Sequence, residues 1–355
     1  MLITLEKIKQ DGIESLDEFS IRRNEHEDGR IILNYNQLNS PKTNPIVMEC
    51  RSLTINRYNY ELIARSFERF YNYSECLSIT NKFNWDSPIT SHDKIDGSLI
   101  KVFFYGGSWR VQTRNSFATD YVNGSSYTWA NLVLDQLSAS NFFHYEDGFR
   151  DTCFIFELCS PYNIVVHQHK EVSLHLLAAF VGEVEIDTFT VDELADLMGL
   201  LRPTRYTFFS LDEVSSYIKK EANKCETFEG VVLQDINGMR LKLKSEKYVA
   251  LHKMFSNGNI LLDKNIIPLI IEGELDEAAV YFPILKERGA ILKEKINQHM
   301  KEVDNYWFCF KDVESKKKFA LSINDCKWKS LLFLAYTKGG NPADYLTADF
   351  VEKFL

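Results

Sequence analysis

The sequence predicts an α+β protein, with a mixed body rich in antiparallel sheet over residues 1–254 and an all-helical domain over 255–355. Three observations predict it. SLIKVFF, YGGS and WRVQT (98–113) are β-rich runs folding back around a Gly-bearing turn, and VVLQ, DING and MRLKLK (231–244) repeat that pattern around Asn237-Gly238. FPILKERGAILKEKINQHMKEV (282–303) instead spaces its apolar residues at about 3.6, the period of an amphipathic helix.

The remaining elements follow in chain order. Residues 1–90 read as mixed, with a turn-rich stretch NQLNSPKTNP (36–45). From 98 to about 250 the chain reads mainly as strands. CFIFEL (153–158), YNIVV (162–166) and VSLHLLAAFV (172–181) are further candidates. DTFTVDELADLMGL (187–200) reads as a helix capped by Thr190, with Glu193 three residues on. NPADYLTADFVEKFL closes the chain as a helix with Asn341 at the cap and Pro342 at the first helical position.

Composition bounds the function. The 355 residues suffice for one large domain and a smaller one. No run of about 18 apolar residues appears, so no membrane span is expected, and MLITLEKIKQ lacks the pattern of a signal peptide. Seven scattered cysteines form no CxxC pair, which points to a reducing cytoplasm and argues against structural zinc. The net charge of -9 disfavours a nucleic-acid coat protein but leaves room for an enzyme with a local basic groove. Basic residues do gather at Arg65 to Arg69, Arg110 to Arg114 and Arg240 to Lys247.

The sharpest chemical segment is Lys94-Ile95-Asp96-Gly97-Ser98-Leu99. A lysine attacks a phosphorus centre only as a free amine. Its reference pKa is about 10.4, so neighbouring cations or a metal are expected to favour the neutral form. The bland alternative is a solvated lysine on a loop. A second segment pairs Phe228-Glu229-Gly230-Val231-Val232 with Arg240-Leu241-Lys242-Leu243-Lys244. A two-residue Asn237-Gly238 turn would pair Leu233 with Lys242 and Val231 with Lys244. That puts Glu229, Val231, Leu233, Lys242 and Lys244 on one face, where a carboxylate and two lysines suit metal and polyphosphate. The bland alternative here is a solvent-facing ladder of ion pairs. His167 and His169 in VVHQH would share a face, but no third metal ligand stands out, so a strand-surface pair is expected. The stripe Phe67, Phe70, Tyr71 and Tyr73 reads as core, with base stacking as the alternative.

In order, KIDGSL, FELCSP, FEGVV and RLKLKS resemble the signature of covalent nucleotidyltransferases, which include polynucleotide ligases and mRNA capping enzymes. The details resemble the RNA ligase 1 (tRNA-repair) family of T-even bacteriophages. MECRSL (48–53), ARSFERFYN (64–72), KIDGSL, FIFELCSPYNIVV (154–166), FEGVV and KLKSEKYVALH (242–252) fall in that family's order at similar spacing. IIEGELDE (270–277) has an echo there too.

The resemblance implies a ligase adenylation (nucleotidyltransferase) domain over 1–254, including an N-terminal ATP-gripping module, and RNA (tRNA) specificity in 255–355. It implies an ATP-dependent RNA ligase joining 5′-phosphate and 3′-hydroxyl ends, such as those of nicked tRNA. It casts Lys94 as the nucleophile that becomes lysyl-AMP, Glu157 as a ribose contact and Glu229 as a metal ligand. Lys242 and Lys244 would hold the α-phosphate and help expel pyrophosphate. Arg51 and Arg69 would grip the β- and γ-phosphates, with Arg69 standing where the family has a lysine. Arg114 also replaces a family lysine, Tyr35 matches a tyrosine of the same module, and Asp276 matches an acid that orders metal-bound water. Bland alternatives are a structural ion pair for Glu157, surface cations for Arg51 and Arg69, and packing for Tyr35. Magnesium or manganese is the expected ion, and a monomer in the cytoplasm, the host's if the source is viral, is the expected state. A DNA ligase or capping guanylyltransferase is the alternative within the superfamily, disfavoured because the C-terminal region reads helical rather than β-rich. A non-catalytic RNA-binding protein of the same fold is the other.

Overall fold

The computed structural model describes residues 1–36, 40–41, 43–73, 75–122, 125–162, 167–225, 227–248, 261–272, 275, 279, 284–339 and 342–354. The chain divides into two compact units, Met1–Ala250 and Leu251–Leu355.

In the first unit helix Ile3–Asp11 is followed by β1 (Ile21–Glu25), β2 (Arg30–Tyr35), β3 (Arg51–Asn56) and β4 (Leu62–Ala64), an antiparallel sheet in that order. Next come β5 (Tyr71–Asn72), β6 (Ile89–Asp93), β7 (Ser98–Tyr105), β8 (Ser108–Thr113), β9 (Thr152–Cys159), β10 (Ser173–Val181), β11 (Val184–Glu185), β12 (Arg205–Phe208), β13 (Gly230–Gln234) and β14 (Arg240–Lys244). They build two further sheets, β11-β10-β9-β7-β8 and β12-β6-β13-β14-β5. Every pairing is antiparallel except the short β14–β5 contact.

Period-2 alternation sorts the strands' faces. In β9, Phe154, Phe156 and Leu158 enter one core with Ile100 and Val102 of β7. Cys153 and Ile155 enter the opposite core with Phe103. Glu157 shares that second face, so the strand that buries these five residues also aims one carboxylate. In the third sheet Ile89, Val231, Leu233 and Leu241 pack together with Val214 and Ile218.

Several local readings are corrected. Helices Trp129–Ser138 and Leu211–Lys224 interrupt the region read as mainly strand. Thr128 and Ser210 cap them, accepting from the Asn131 and Glu213 N–H groups. Val214, Ile218 and Ala222, spaced by four, form the buried stripe of the second. Helix Thr188–Met198 is capped by Asp187, which accepts from the Phe189 and Thr190 N–H groups, so Thr190 lies inside the first turn. The Gly106-Gly107 hairpin stands, both glycines taking positive φ as a two-residue turn needs. Of YNIVV, residues 163–166 lie outside the described residues.

The second unit is helical. Helix Leu285–Phe310 buries Leu285, Gly289, Leu292, Ile296 and Val303 along one stripe. Helices Asp263–Glu272, Lys316–Ser322, Lys329–Lys338 and Ala348–Phe354 accompany it. Ile267, Ile296, Val303, Phe319, Trp328, Leu331 and Val351 form its core. The C-terminal reading changes here too: Pro342 opens a short 3-10 turn, Pro342–Tyr345, and the α-helix begins only at Ala348. Asn341 lies outside the described residues. Among the described residues no helix is long and apolar enough to cross a membrane.

Candidate active site

Lys94 follows β6 directly, and its N–H donates to the Gly230 carbonyl, so the lysine leaves the sheet beside the start of β13. The next turn is tight. A Cβ on Gly97 would lie 2.5 Å from the Leu158 carbonyl oxygen, so only glycine fits. Asp96 anchors the turn, accepting from the His167 N–H (2.8 Å) and the Tyr248 hydroxyl (3.0 Å).

Glu229 bridges two lysines. Its carboxylate oxygens lie 2.8 Å from Lys94 Nζ and 2.8 Å from Lys244 Nζ, with the Glu229 side chain only 2% exposed. The route to this arrangement differs from the expected hairpin. Ile236, Asn237 and Gly238 form a three-residue loop closed by Asp235 and Met239, so Val231 pairs with Leu243 and Val232 with Lys242. The one-residue shift turns Val231 and Leu233 into the core and leaves Val232, Lys242 and Lys244 on the other face. Alternation alone would then point Glu229 away. Gly230 reverses it: φ is 134°, and a Cβ there would sit 2.1 Å from the Leu243 carbonyl.

The electrostatics of the nucleophile also differ from expectation. Burial opposes the charge on Lys94, but Glu229 and Glu157 outweigh it, so its pKa lies above the usual lysine value. The depressed lysine is Lys242, lowered to about 7 by burial and then by Arg51 and Lys94. Glu157 is raised to about 7 by burial, with Lys94 opposing and Glu229 adding to the rise. Arg51 is lowered to about 10, by burial and by Arg114.

A cavity of about 300 Å³ opens on these groups. Arg51, Lys94, Glu157, Lys242 and Lys244 line one part, and Leu99, Leu177, Ile186, Val191 and Val232 supply apolar wall. That size is at the lower end of small-molecule sites, roughly 300–1,000 Å³. Tyr35, Arg69 and Arg114 are not among its walls. They stack instead, with the Arg69 and Arg114 guanidinium groups 4.5 and 4.8 Å from the Tyr35 ring centre. A planar guanidinium suits such a stack better than an ammonium, which gives arginine at these positions a physical reason. Arg69 lines an adjoining cavity of about 360 Å³ that shares Phe67, Phe70, Glu185 and Arg240 with the first. Arg51 Nη1, Arg69 Nη1 and Arg114 Nε are buried without a hydrogen-bond partner. Three unmatched donors on cations form an arrangement that an anion would complete.

For a metal, no group of three or more His, Cys, Asp or Glu is placed to hold an ion among the described residues. Glu229 and Glu157 remain as a carboxylate pair of the kind magnesium uses while keeping waters and phosphates as its other ligands. Asp276 lies outside the described residues. His167 and His169 form no strand-surface pair, since β10 begins at Ser173; both meet Asp96. Phe67 and Phe70 line the cavity, Tyr71 is buried and Tyr73 is exposed, so the aromatic stripe divides among wall, core and surface.

Sequence reasoning missed Lys101. It is fully buried on the face of β7 opposite Val102, and donates to the Ser52 carbonyl and to Thr54 Oγ1 (2.7 Å). Ser52, at φ 63°, is the residue after Arg51. Asn34 completes the joint, its Oδ1 accepting from the Ser52 N–H (2.8 Å) and its Nδ2 donating to the Arg114 carbonyl (2.8 Å). The one available signal was a lysine inside the apolar run SLIKVFF. Asn72 and Arg240, also cavity walls, stand inside ARSFERFYN and RLKLKS, but nothing in the sequence assigned either a role of its own.

Residues 49–248 match the RNA ligase family model of the T4 RNA ligase 1 type. A protein of Autographa californica nuclear polyhedrosis virus, named as a bifunctional polynucleotide kinase/RNA ligase, is 31% identical over 295 residues, 78% of this chain and 41% of that one. The chain thus spans about two-fifths of that relative's length. An Aquifex aeolicus structure named as an ATP-dependent DNA ligase aligns at 15% identity and TM-score 0.49, covering 94% of this chain and 80% of its own. An archaeal ATP-dependent RNA ligase aligns at 13% identity and TM-score 0.48, over 94% and 81%.

Proposed function

This chain belongs to the RNA ligase family of the T4 RNA ligase 1 type, and on that premise we propose that it is an ATP-dependent ligase joining RNA 5′-phosphate and 3′-hydroxyl ends. The observation that carries the reading is the convergence of the Lys94 amine, Glu157, Lys242, Lys244 and Arg51 on one cavity, with Glu229 bridging Lys94 and Lys244.

In the first transfer the Lys94 amine, having lost its proton, attacks the α-phosphorus of ATP. A phosphorus–nitrogen bond forms, the bond to the bridging oxygen breaks, and pyrophosphate leaves. Arg51, Lys242 and Lys244 hold the phosphates and stabilise the charge that develops on them. Arg69 and Arg114, braced on Tyr35, supply cations to the outer phosphates. In the second transfer an oxygen of the RNA 5′-phosphate attacks lysyl-AMP and frees Lys94. In the third, an RNA 3′-hydroxyl attacks that 5′-phosphate and expels AMP. Glu229 would be the ligand for magnesium or manganese, which would supply charge neutralisation on the phosphates, while Glu157 contacts the ribose. Glu229 engaged in that way would hold Lys94 protonated less strongly, which would favour the free amine.

The reading assigns adenylyl transfer to residues 1–254 and RNA choice to 255–355, in a monomer acting in the cytoplasm, with tRNA breaks as the substrate. Incubation with labelled ATP or GTP tests it. The expected result is a label from ATP alone that survives alkali and is removed by acid or acidic hydroxylamine, as a phosphorus–nitrogen bond requires, and that is lost in Lys94→Ala. Strand joining on RNA but not DNA ends, and of a nicked anticodon loop in preference to linear single strands, tests the substrate. A label from GTP or sealing of DNA alone overturns the assignment.

A further inference from the structure

The His-Gln-His segment 167–169 has no part in the chemistry above, yet it contacts Asp96 and Thr227, each two residues from a partner of the Lys94–Glu229 pair. We propose that His169, seconded by His167, is a positioning residue that clamps the nucleophile loop against the segment 227–229 that leads into β13 and carries Glu229. His169 Nε2 lies 2.6 Å from the Asp96 carbonyl oxygen. A carbonyl only accepts, so Nε2 carries the hydrogen and His169 donates. The His167 N–H donates to Asp96 Oδ2 (2.8 Å), and its Nδ1 shares a hydrogen bond with the Thr227 hydroxyl (2.5 Å). The two rings meet edge to face, with centres 4.5 Å apart.

Asp96 is two residues after Lys94, and Thr227 two before Glu229. One tripeptide therefore ties both ends of the pair, and neither histidine lines the cavity. The held carbonyl precedes Gly97, which has no side chain to limit rotation of that peptide. Cys159 Sγ also meets this carbonyl, but at 3.9 Å and as a weak donor. The imidazole of His169 is thus a strong side-chain donor to the main chain of the turn through which Lys94 is aimed, beside the Tyr248 hydroxyl on the Asp96 carboxylate.

The proposal rests on Lys94 being the adenylylated residue, and the experiment separates the two. Three readouts are compared in the full-length protein: single-turnover adenylylation of Lys94 at saturating ATP, sealing of an RNA already carrying a 5′-adenylate, and thermal melting. Should the wild type form no adduct on Lys94, the functional reading fails and the clamp with it. Given a wild-type adduct, His169→Leu is expected to slow its formation by roughly 10- to 100-fold, the scale for an attacking group misplaced by about 1 Å. The KM for ATP stays within about twofold, because the phosphate grip is untouched. His169→Gln, which keeps an N–H donor, recovers most of the rate. Sealing of pre-adenylated RNA suffers less, because there the amine is not the nucleophile. Adenylylation by His169→Leu at the wild-type rate, equal losses in both reactions, or a glutamine variant no better than leucine each overturns the clamp. Should His169→Leu not fold, Thr227→Val cuts the other tie. A slowed adenylylation step with unchanged KM is then expected, and an unchanged rate overturns it.

Discussion

The amine of Lys94 lies 2.8 Å from Glu229 Oε2, a contact that favours the protonated form of the nucleophile. Glu229 is the largest of the influences that raise the pKa of Lys94. Glu229→Gln removes a full negative charge while keeping the side chain's shape. The pKa of Lys94 should therefore fall, though Glu157 and Asp96 still oppose the fall. Reaction of Lys94 with a small amine-directed reagent should show its alkaline limb moving to lower pH. Adenylylation by ATP should nevertheless drop, on the order of 10²- to 10³-fold, because preorganised charge at the phosphates is lost. A limb that stays in place would show that Glu157 and Asp96, not Glu229, hold the amine charged.

Lys242 offers a second handle on charge. With its pKa lowered to about 7, a fraction of it is neutral in the free protein at neutral pH. A bound triphosphate favours the charged form, so binding should draw in protons, increasingly as pH rises above 7. Nucleotide affinity should weaken across the same range. Calorimetry in two buffers of different ionisation heat counts the protons taken up. Lys242→Met should take up fewer than wild type and show a flatter affinity profile, with equal uptake in both proteins counting against the assignment.

The hairpin illustrates how much the sequence made legible. Asn237-Gly238 marked the turn, and the strand identities were readable from Val, Leu and alternating Lys. The register was not, because a loop longer by one residue flips every side chain, and Asp235 closes that longer loop with two backbone hydrogen bonds. The one-face grouping of Glu229 with Lys242 and Lys244 nevertheless holds, through the positive φ of Gly230, which a strict period of 2 does not contain. Local periodicity likewise revealed helix Leu285–Phe310 but not Trp129–Ser138, whose buried Leu132, Val133 and Leu137 make a short stripe inside a β-rich region. Lys94 and Glu229 were legible as motifs. The histidine clamp and Lys101 were not, because each gains meaning only from residues between 47 and 73 positions away.

Gly230 and Gly238 both have positive φ, yet only one is expected to be intolerant. An alanine Cβ at Gly230 would meet the Leu243 carbonyl at 2.1 Å and Lys244 Cα at 2.7 Å, both backbone atoms. Gly230→Ala should cost about 2–4 kcal/mol, adding left-handed strain to overpacking, and should abolish adenylylation by displacing Glu229. At Gly238 the nearest atom is 3.9 Å away. Gly238→Ala should cost only about 1–2 kcal/mol of backbone strain and keep activity. Urea unfolding and adenylylation of the two variants decide the matter, and equal losses would contradict the difference in crowding.

Lys101 links stability to nucleotide grip. Burial, helped by Arg30 and opposed by Cys153, lowers its pKa to about 7. In the unfolded chain it returns to about 10.4. Between those values the unfolded state holds a proton that the folded state lacks. Stability contributed by this group therefore rises with pH through that window, by up to about 1.4 kcal/mol per pH unit, and is least below pH 7, where the buried ammonium is charged. Lys101→Met should lose that slope, so urea midpoints at pH 7 and pH 9 should separate less than in wild type. The same substitution removes the donor that holds the Ser52 carbonyl and Thr54 Oγ1 beside Arg51. The KM for ATP should then rise several-fold, toward the roughly tenfold that 1.4 kcal/mol represents, with the rate at saturation changing less. A variant with the wild-type KM would mean that Arg51 keeps its aim without the lysine.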